Sequence, residues 1–234
     1  MDETPILTRR ELLKRATMVG TAVAIPLRLV PTASTPAGVA ALQGVNAVPA
    51  VFETLTAGEG ATLKAIVARL IPTDGNGPGA TEARAAEYID RALGGALASS
   101  REAYRTGLAA LDAYSRSSRA ASFAQLPGAE QDAVLRELET DTAAGFAGSA
   151  IFFNLLLTHT IQGTFGDPYY GGNANFVGWD LIGYPGVRLA VAAADQRIDA
   201  RPAPTHQSAY DLTMFSKKKP ARARLGAGDH DHAG

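Results

Sequence analysis

Residues 152–186, FFNLLLTHTIQGTFGDPYYGGNANFVGWDLIGYPG, are the stretch around which the rest of the chain is organised. They open with an apolar run, continue into a segment rich in Gly, Asn and Asp, and hold eight of the sixteen aromatic residues, including the only tryptophan. Glycine permits turns with positive φ, and a disordered linker would be poor in aromatic side chains. Residues 163–186, which we name the aromatic loop, are therefore predicted to be a long ordered loop, a feature that is usually functional.

The composition of the 234-residue chain fits one globular domain with flanking segments. The net charge is −1 and no basic stripe with interleaved aromatic residues occurs in the body, which argues against a nucleic-acid partner. The chain contains no cysteine. Disulfides, thiolate metal sites and cysteine nucleophiles are therefore excluded.

Residues 1–40 have the organisation of an export signal. The pair Arg9 and Arg10 lies in TRRELLK (residues 8–14), which resembles the twin-arginine motif, and a moderately apolar run over residues 16–30 follows. Pro26 and Arg28 interrupt that run, which is too short to indicate a membrane span. An amphipathic N-terminal helix with a chance arginine pair is the alternative.

We expect the twin-arginine translocase to deliver the chain to the periplasm or to the outer face of the cytoplasmic membrane, with the signal either cleaved or kept as an anchor. Because this route carries folded proteins and the body has no obvious cofactor motif, the signal is expected to serve a bound partner. Residues 41–55 are interpreted as a linker.

Residues 56–197 are predicted to form a single all-α domain of five to six helices, with the long aromatic loop before the last helix. Thr56-Ala-Gly-Glu59 has the spacing of a capping box, and apolar residues then recur at helical spacing as far as Ile71, before Pro72. Further helices are predicted after Thr81, after residue 100 and from about residue 127. A helix over residues 145–161, apolar on all sides, is expected at the centre of the core.

The C-terminal part is predicted to hold one more helix, over residues 185–197, and then an extended tail over residues 198–234. The run KKK at residues 217–219 is interpreted as a solvated part of that tail. The terminal pair His230 and His232 has only weak metal-binding character.

The sequence contains no recognisable catalytic pattern. Glu-x-x-His pairs, H-E-x-x-H, the G-x-S-x-G elbow, a Walker A loop and a complete dinucleotide-binding glycine loop are all missing. His159, the one histidine of the helical body, is interpreted as a hydrogen-bonded core residue. Asp167, Asn173 and Asp180 are interpreted as turn residues in preference to ligands of a hard cation. We therefore expect no catalytic, cofactor-binding or metal-binding residue in this chain.

The aromatic loop is expected to be a protein interface, because aromatic anchors dominate interfaces and no acid/base pair accompanies them. The alternative is a free-standing exported helical protein that binds a small ligand or a metal through residues 163–186. The residues predicted to face a partner, with Gly171, Gly172 and Asn173 setting the turn, are Phe165, Asp167, Pro168, Tyr169, Tyr170, Gly171, Gly172, Asn173, Trp179 and Tyr184.

The run HTIQG at 159–163, then DPYYGGN at 167–173, GW at 178–179 and GYPG at 183–186 resembles the gluconate 2-dehydrogenase subunit 3 family, as do the first helix and the export signal. The resemblance implies an accessory subunit without a cofactor that supports maturation, export and assembly of a larger enzyme. The large subunit would be a flavoprotein of the glucose-methanol-choline type that holds FAD and oxidises a sugar, sugar acid or alcohol. A multihaem cytochrome c subunit would pass the electrons to quinone.

Overall fold

The computed structural model describes residues 52–215. Six α-helices lie in this range: α1 Ala57–Leu70, α2 Ala85–Leu93, α3 Arg101–Arg119, α4 Gly128–Glu139, α5 Ser149–Phe165 and α6 Val177–Ile182. Short 3-10 helices lie between and after them, and residues 52–215 contain no β-strand. The predicted all-α class is confirmed. The predicted export signal with Arg9 and Arg10, and the basic run and histidines of the tail, lie outside the described residues.

Helix α1 begins at the capping box that the sequence predicted. The Thr56 backbone N–H donates to Glu59 Oε2 at 2.8 Å, and the Glu59 N–H donates to Thr56 Oγ1 at 3.3 Å, so two donors at the helix start are satisfied. The apolar residues at helical spacing point into the core: Leu63, Ile66, Val67 and Leu70 are all buried. The sequence pattern therefore predicted both the start and the buried face of this helix.

The chain that enters the domain is fixed by one buried carboxylate of α2. Asp90 is only 3% exposed and accepts three backbone N–H groups, from Glu53 at 2.6 Å, Thr54 at 3.0 Å and Leu55 at 2.8 Å. Hydrogen bonds to a charged acceptor are stronger than neutral ones. Asp90 thus ties residues 53–55 to the helical body.

Helix α5 is the central element and contacts each of the other five helices. It buries Phe152, Phe153 and Leu156 on one side, whereas Ile151 is 78% exposed. The predicted central position of this helix is therefore confirmed, but its apolar residues are not all buried, because the neighbouring helices leave one face open to solvent. No helix within residues 52–215 is long and apolar enough to cross a membrane.

The predicted helix over residues 185–197 is also wrong. Residues 185–192 are extended or irregular, and only the short 3-10 helix Ala193–Gln196 forms. Tyr184, which precedes the predicted start, is not a preferred N-cap residue, and Gly186 has φ +96, outside the helical region. The one-and-a-half-turn helix α6 forms instead inside the aromatic loop. Sequence patterns did not predict it, because Gly178 lies within the helix and Gly183 directly follows it.

Candidate functional site

The aromatic loop folds back onto the end of α5, and Asn173 holds it there. This residue is fully buried, and its backbone N–H donates to the Gly163 carbonyl at 2.7 Å. Its side-chain Nδ2 donates to the Gly166 carbonyl at 2.9 Å, and its Oδ1 accepts the Gly178 N–H at 2.8 Å. Its φ of 43° is in the left-handed region, which asparagine tolerates. One side chain thus joins the end of α5 to the start of α6.

Two glycines permit this close approach of the loop to α5. A Cβ atom at Gly172 would lie 2.2 Å from the Gly163 carbonyl oxygen, and one at Gly178 would lie 1.8 Å from the Thr164 carbonyl oxygen. Both distances are far inside van der Waals contact. The neighbouring Gly171, at φ +92, ends the 3-10 helix Pro168–Tyr170.

Trp179 lies beneath the surface rather than on it. It is 5% exposed, its Nε1 donates to the Phe165 carbonyl at 2.9 Å, and its ring packs against Phe176 and against the edge of Tyr184. The prediction that Trp179 contacts a partner directly does not fit this position, because the chain itself encloses the indole. Phe165 is likewise partly buried against the core. Trp179 and Phe165 therefore support the aromatic loop from its buried side.

Four large aromatic or aliphatic side chains of the loop reach solvent. Tyr169 is 38% exposed, Tyr170 53%, Ile182 44% and Tyr184 40%. Asn173 and Trp179 fix the backbone of the loop that carries these four residues through bonds to the backbone of Phe165, Gly166 and Gly178. We name Tyr169, Tyr170, Ile182 and Tyr184 the tyrosine surface.

Asp167 connects the loop to the C-terminal part of the chain. Its Oδ1 accepts the Tyr169 N–H at 2.9 Å and so caps the 3-10 helix that Pro168 starts. The same carboxylate accepts Ser208 Oγ at 2.6 Å and the Ala209 N–H at 3.1 Å. Its oxygens are therefore occupied by hydrogen bonds within the chain.

Residues 205–211, which we name the C-terminal strap, lie along the aromatic loop. The Tyr210 ring stacks on Tyr169 with centroids 3.8 Å apart, and its hydroxyl is 2.5 Å from the Tyr170 hydroxyl. His206 Nε2 lies 2.8 Å from Asp180 Oδ1, and its ring stacks on Phe176 at 5.0 Å. The sequence predicted an extended tail here and did not predict these contacts.

One local signal for the strap is present in the sequence. Ser208 and Asp211 have capping-box spacing, and the structure shows both bonds, from the Ser208 N–H to Asp211 Oδ2 at 2.9 Å and from the Tyr210 N–H to Ser208 Oγ at 3.0 Å. This spacing predicts a turn, but it does not reveal where the turn docks.

The candidate cation ligands Asp167, Asn173 and Asp180 each hydrogen-bond to protein groups. Within residues 52–215, no cluster of three or more His, Cys, Asp or Glu side chains is arranged to hold a metal ion. The side chains of Asp167, Asn173 and Asp180 therefore stabilise turns and join the loop to other parts of the chain.

His159 lies in the core, 5% exposed, with Nδ1 at 3.0 Å from the Tyr104 hydroxyl and the two rings nearly parallel. Burial lowers the pKa of His159 and raises the pKa of Tyr104, so both side chains are neutral at pH 7. This pair joins α3 to α5 in the interior. Because both side chains are buried, His159 is not placed to act as a solvent-accessible base.

A groove of about 740 Å³ runs between α3 and α5 on another part of the surface. It is lined mainly by small and apolar residues, with Phe146, Ile151 and Phe152 the largest. No Asp, Glu, His, Lys or Arg contributes to its lining, so the groove offers no acid/base pair.

The comparison with known families agrees with the residues of the loop. A family model, Gluconate 2-dehydrogenase subunit 3, matches residues 57–186, from the first residue of α1 to the last glycine of the aromatic loop. No curated protein and no solved structure matches the chain. The match covers more than half of the sequence and ends before the C-terminal strap. The chain therefore belongs to the gluconate 2-dehydrogenase subunit 3 family.

Proposed function

We propose that this chain is the non-catalytic small subunit of an FAD-dependent dehydrogenase complex that oxidises gluconate, another sugar derivative or an alcohol. The family name describes a subunit of a gluconate dehydrogenase complex, which supports the proposal. In the complex, the subunit supports maturation, export and assembly of the flavoprotein large subunit.

The observation that carries the proposal is the tyrosine surface. Four large side chains are 38–53% exposed on one loop, while two buried residues, Asn173 and Trp179, fix the backbone beneath them. Aromatic side chains on a pre-ordered backbone lose little conformational entropy on binding, and they are the commonest anchors of protein interfaces. A loop built in this way suits docking on a partner protein.

The redox chemistry belongs to the partners in this proposal. Residues 52–215 are helical and contain no strand–glycine loop–helix unit of the kind that binds dinucleotides. In line with the family resemblance, the proposal assigns FAD to a large subunit of the glucose-methanol-choline type and haem c to a multihaem cytochrome c subunit. This chain contributes the docking surface.

The route of export follows from the same proposal. Arg9 and Arg10 direct the folded subunit to the twin-arginine translocase, and the bound flavoprotein, loaded with FAD, crosses with it. The complex then works in the periplasm or at the outer face of the cytoplasmic membrane. Replacing both arginines by lysine should leave subunit and flavoprotein together in the cytoplasm.

A pair of matched variants tests the docking surface. Ile182→Asp places a charge in the tyrosine surface, whereas Ile151→Asp places the same charge at an exposed isoleucine of α5 outside it. Desolvating an unpaired carboxylate at an interface is costly, so Ile182→Asp should weaken binding to the flavoprotein at least tenfold. Ile151→Asp should bind like the unaltered subunit. Equal binding by all three proteins would refute this assignment of the surface.

A further inference from the structure

We propose that the aromatic loop is a peptide-binding site whose resident ligand is the chain's own C-terminal strap. The site recognises a segment of the pattern Thr-His-x-Ser-x-Tyr that ends in a short 3-10 turn, and it accepts the same segment in trans, from a second copy of the chain or from a separate peptide. This inference rests on the contacts of residues 205–211 and does not depend on the identity of the dehydrogenase partner.

The first recognition element is the Asp167 carboxylate. It accepts both the Ser208 hydroxyl at 2.6 Å and the Ala209 N–H at 3.1 Å. Ser208 is only 5% exposed, so this contact is largely shielded from water. A serine followed by a free backbone N–H satisfies both bonds at once, whereas proline at position 209 would lose one donor.

The second element is the pair Tyr169 and Tyr170, which holds one tyrosine of the strap. The Tyr210 ring stacks on Tyr169 at 3.8 Å, meets Tyr170 edge to face at 5.7 Å and shares a hydroxyl–hydroxyl hydrogen bond with Tyr170. Aromatic pairs in these geometries are favourable beyond the area they bury. A phenylalanine at this position would keep the stacking and lose the hydrogen bond.

The third element combines backbone pairing with a histidine contact. The Thr205 N–H donates to the Pro185 carbonyl at 2.7 Å, and the Val187 N–H donates to the Gln207 carbonyl at 2.9 Å. Between these bonds, the His206 ring stacks on Phe176, and its Nε2 lies within hydrogen-bond distance of Asp180 Oδ1. The two backbone bonds fix the register of the segment on the loop, and the side-chain contact between them adds specificity.

The segment that tethers the strap has the character of a linker. Between residues 188 and 204 the side chains are mostly exposed, and Ile198 is 96% exposed. The two ion pairs of this segment are internal to it: Arg188 with Asp195, and Arg197 with Asp199. The strap is therefore held by its own contacts, and a short tether keeps it at high effective concentration at the loop.

The test uses the full chain with a protease recognition sequence inserted between Arg197 and Ile198. After cleavage, the C-terminal fragment should stay bound through gel filtration, and an excess of a synthetic peptide covering residues 203–213 should displace it. Peptides with Ser208→Ala or Tyr210→Ala should compete at least tenfold more weakly. A peptide with Gln207→Ala should compete like the original, because the hydrogen bond at this position comes from the backbone carbonyl.

Fluorescence of the single tryptophan, Trp179, reports whether the loop stays folded after cleavage. Retention of the fragment, or peptide binding that depends on Ser208 and Tyr210, supports the site. Loss of the fragment from a still-folded protein that also fails to bind the peptide would overturn it, as would binding indifferent to both substitutions. Neither result depends on whether a flavoprotein is present, so this test is separate from that of the proposed function.

Discussion

Replacing Asn173 should destabilise the protein by an amount that separates its hydrogen bonds from its backbone conformation. Asn173→Gly removes the bonds to the Gly166 carbonyl and from the Gly178 N–H but keeps the left-handed φ of 43° without strain. The Gly178 N–H is buried, and leaving it unpaired costs about 1–3 kcal/mol, while the half-buried Gly166 carbonyl adds about 1 kcal/mol. Together the loss is about 2–4 kcal/mol.

Asn173→Ala should be less stable still. It loses the same two bonds and in addition forces a Cβ-bearing residue without a local hydrogen bond into the left-handed region, which costs a further ~1 kcal/mol. The order of the free energies of unfolding should therefore be unaltered chain, then the Gly variant, then the Ala variant.

Urea unfolding followed by tryptophan fluorescence measures the free energy of unfolding of both variants. Trp179 is a suitable reporter because its indole donates to the Phe165 carbonyl, next to the Gly166 carbonyl that Asn173 binds. At a typical slope of about 2 kcal/mol per molar urea, the Gly variant should lose about 1–2 M in its midpoint. An Ala variant as stable as the Gly variant, or a Gly variant as stable as the unaltered chain, would refute the assigned role of Asn173.

Three further substitutions have defined outcomes. Asp90→Asn removes the carboxylate acceptor of three backbone N–H groups and should lower the free energy of unfolding by about 2–4 kcal/mol. Glu102→Gln breaks only an exposed ion pair with Arg105 and should lower it far less in the same urea titration. Burial lowers the pKa of His159, so the unfolded chain binds the extra proton and stability falls as the pH drops below about 6.5; His159→Gln should flatten that pH profile of the melting temperature. Gly178→Ala brings a Cβ against the backbone of α5 and should lower the melting temperature and raise the fluorescence exposure of Trp179, whereas Gly58→Ala, with open space around it, should do neither.

Local sequence patterns predicted the helical body well. The capping box at Thr56 and Glu59 and the apolar spacing that follows it are local features, and both occur in α1. Pro72 also predicted the end of α1, and Pro127 the start of α4, because proline cannot continue a helix interior. The all-α class follows from these short-range rules.

The direction of the loop side chains could not be predicted in the same way. The sequence shows that Trp179 and Tyr170 lie in one glycine-rich segment, but not that the indole turns inward to the Phe165 carbonyl while the phenol remains 53% exposed. That difference depends on the close approach of Gly178 to α5, a contact between distant backbone segments. The helix expected over residues 185–197 failed for a similar reason, since Pro185 and Val187 pair with the strap instead.

The docking of the C-terminal strap was the largest feature of the structure that the sequence did not predict. Its bonds join residues about forty positions apart, such as Ser208 and Asp167, and no periodicity links them. Only the turn at Ser208–Asp211 had a local signature. Contacts of this kind become visible in three dimensions alone.

The most direct test of the central claim is gentle purification of the native protein from its own cells, with mass spectrometry and an absorbance spectrum of the product. We expect a complex that contains a large flavoprotein and shows the absorbance bands of oxidised flavin. A colourless protein that purifies alone, with the flavoprotein absent from every fraction containing it, would contradict the claim that this chain is a dehydrogenase subunit.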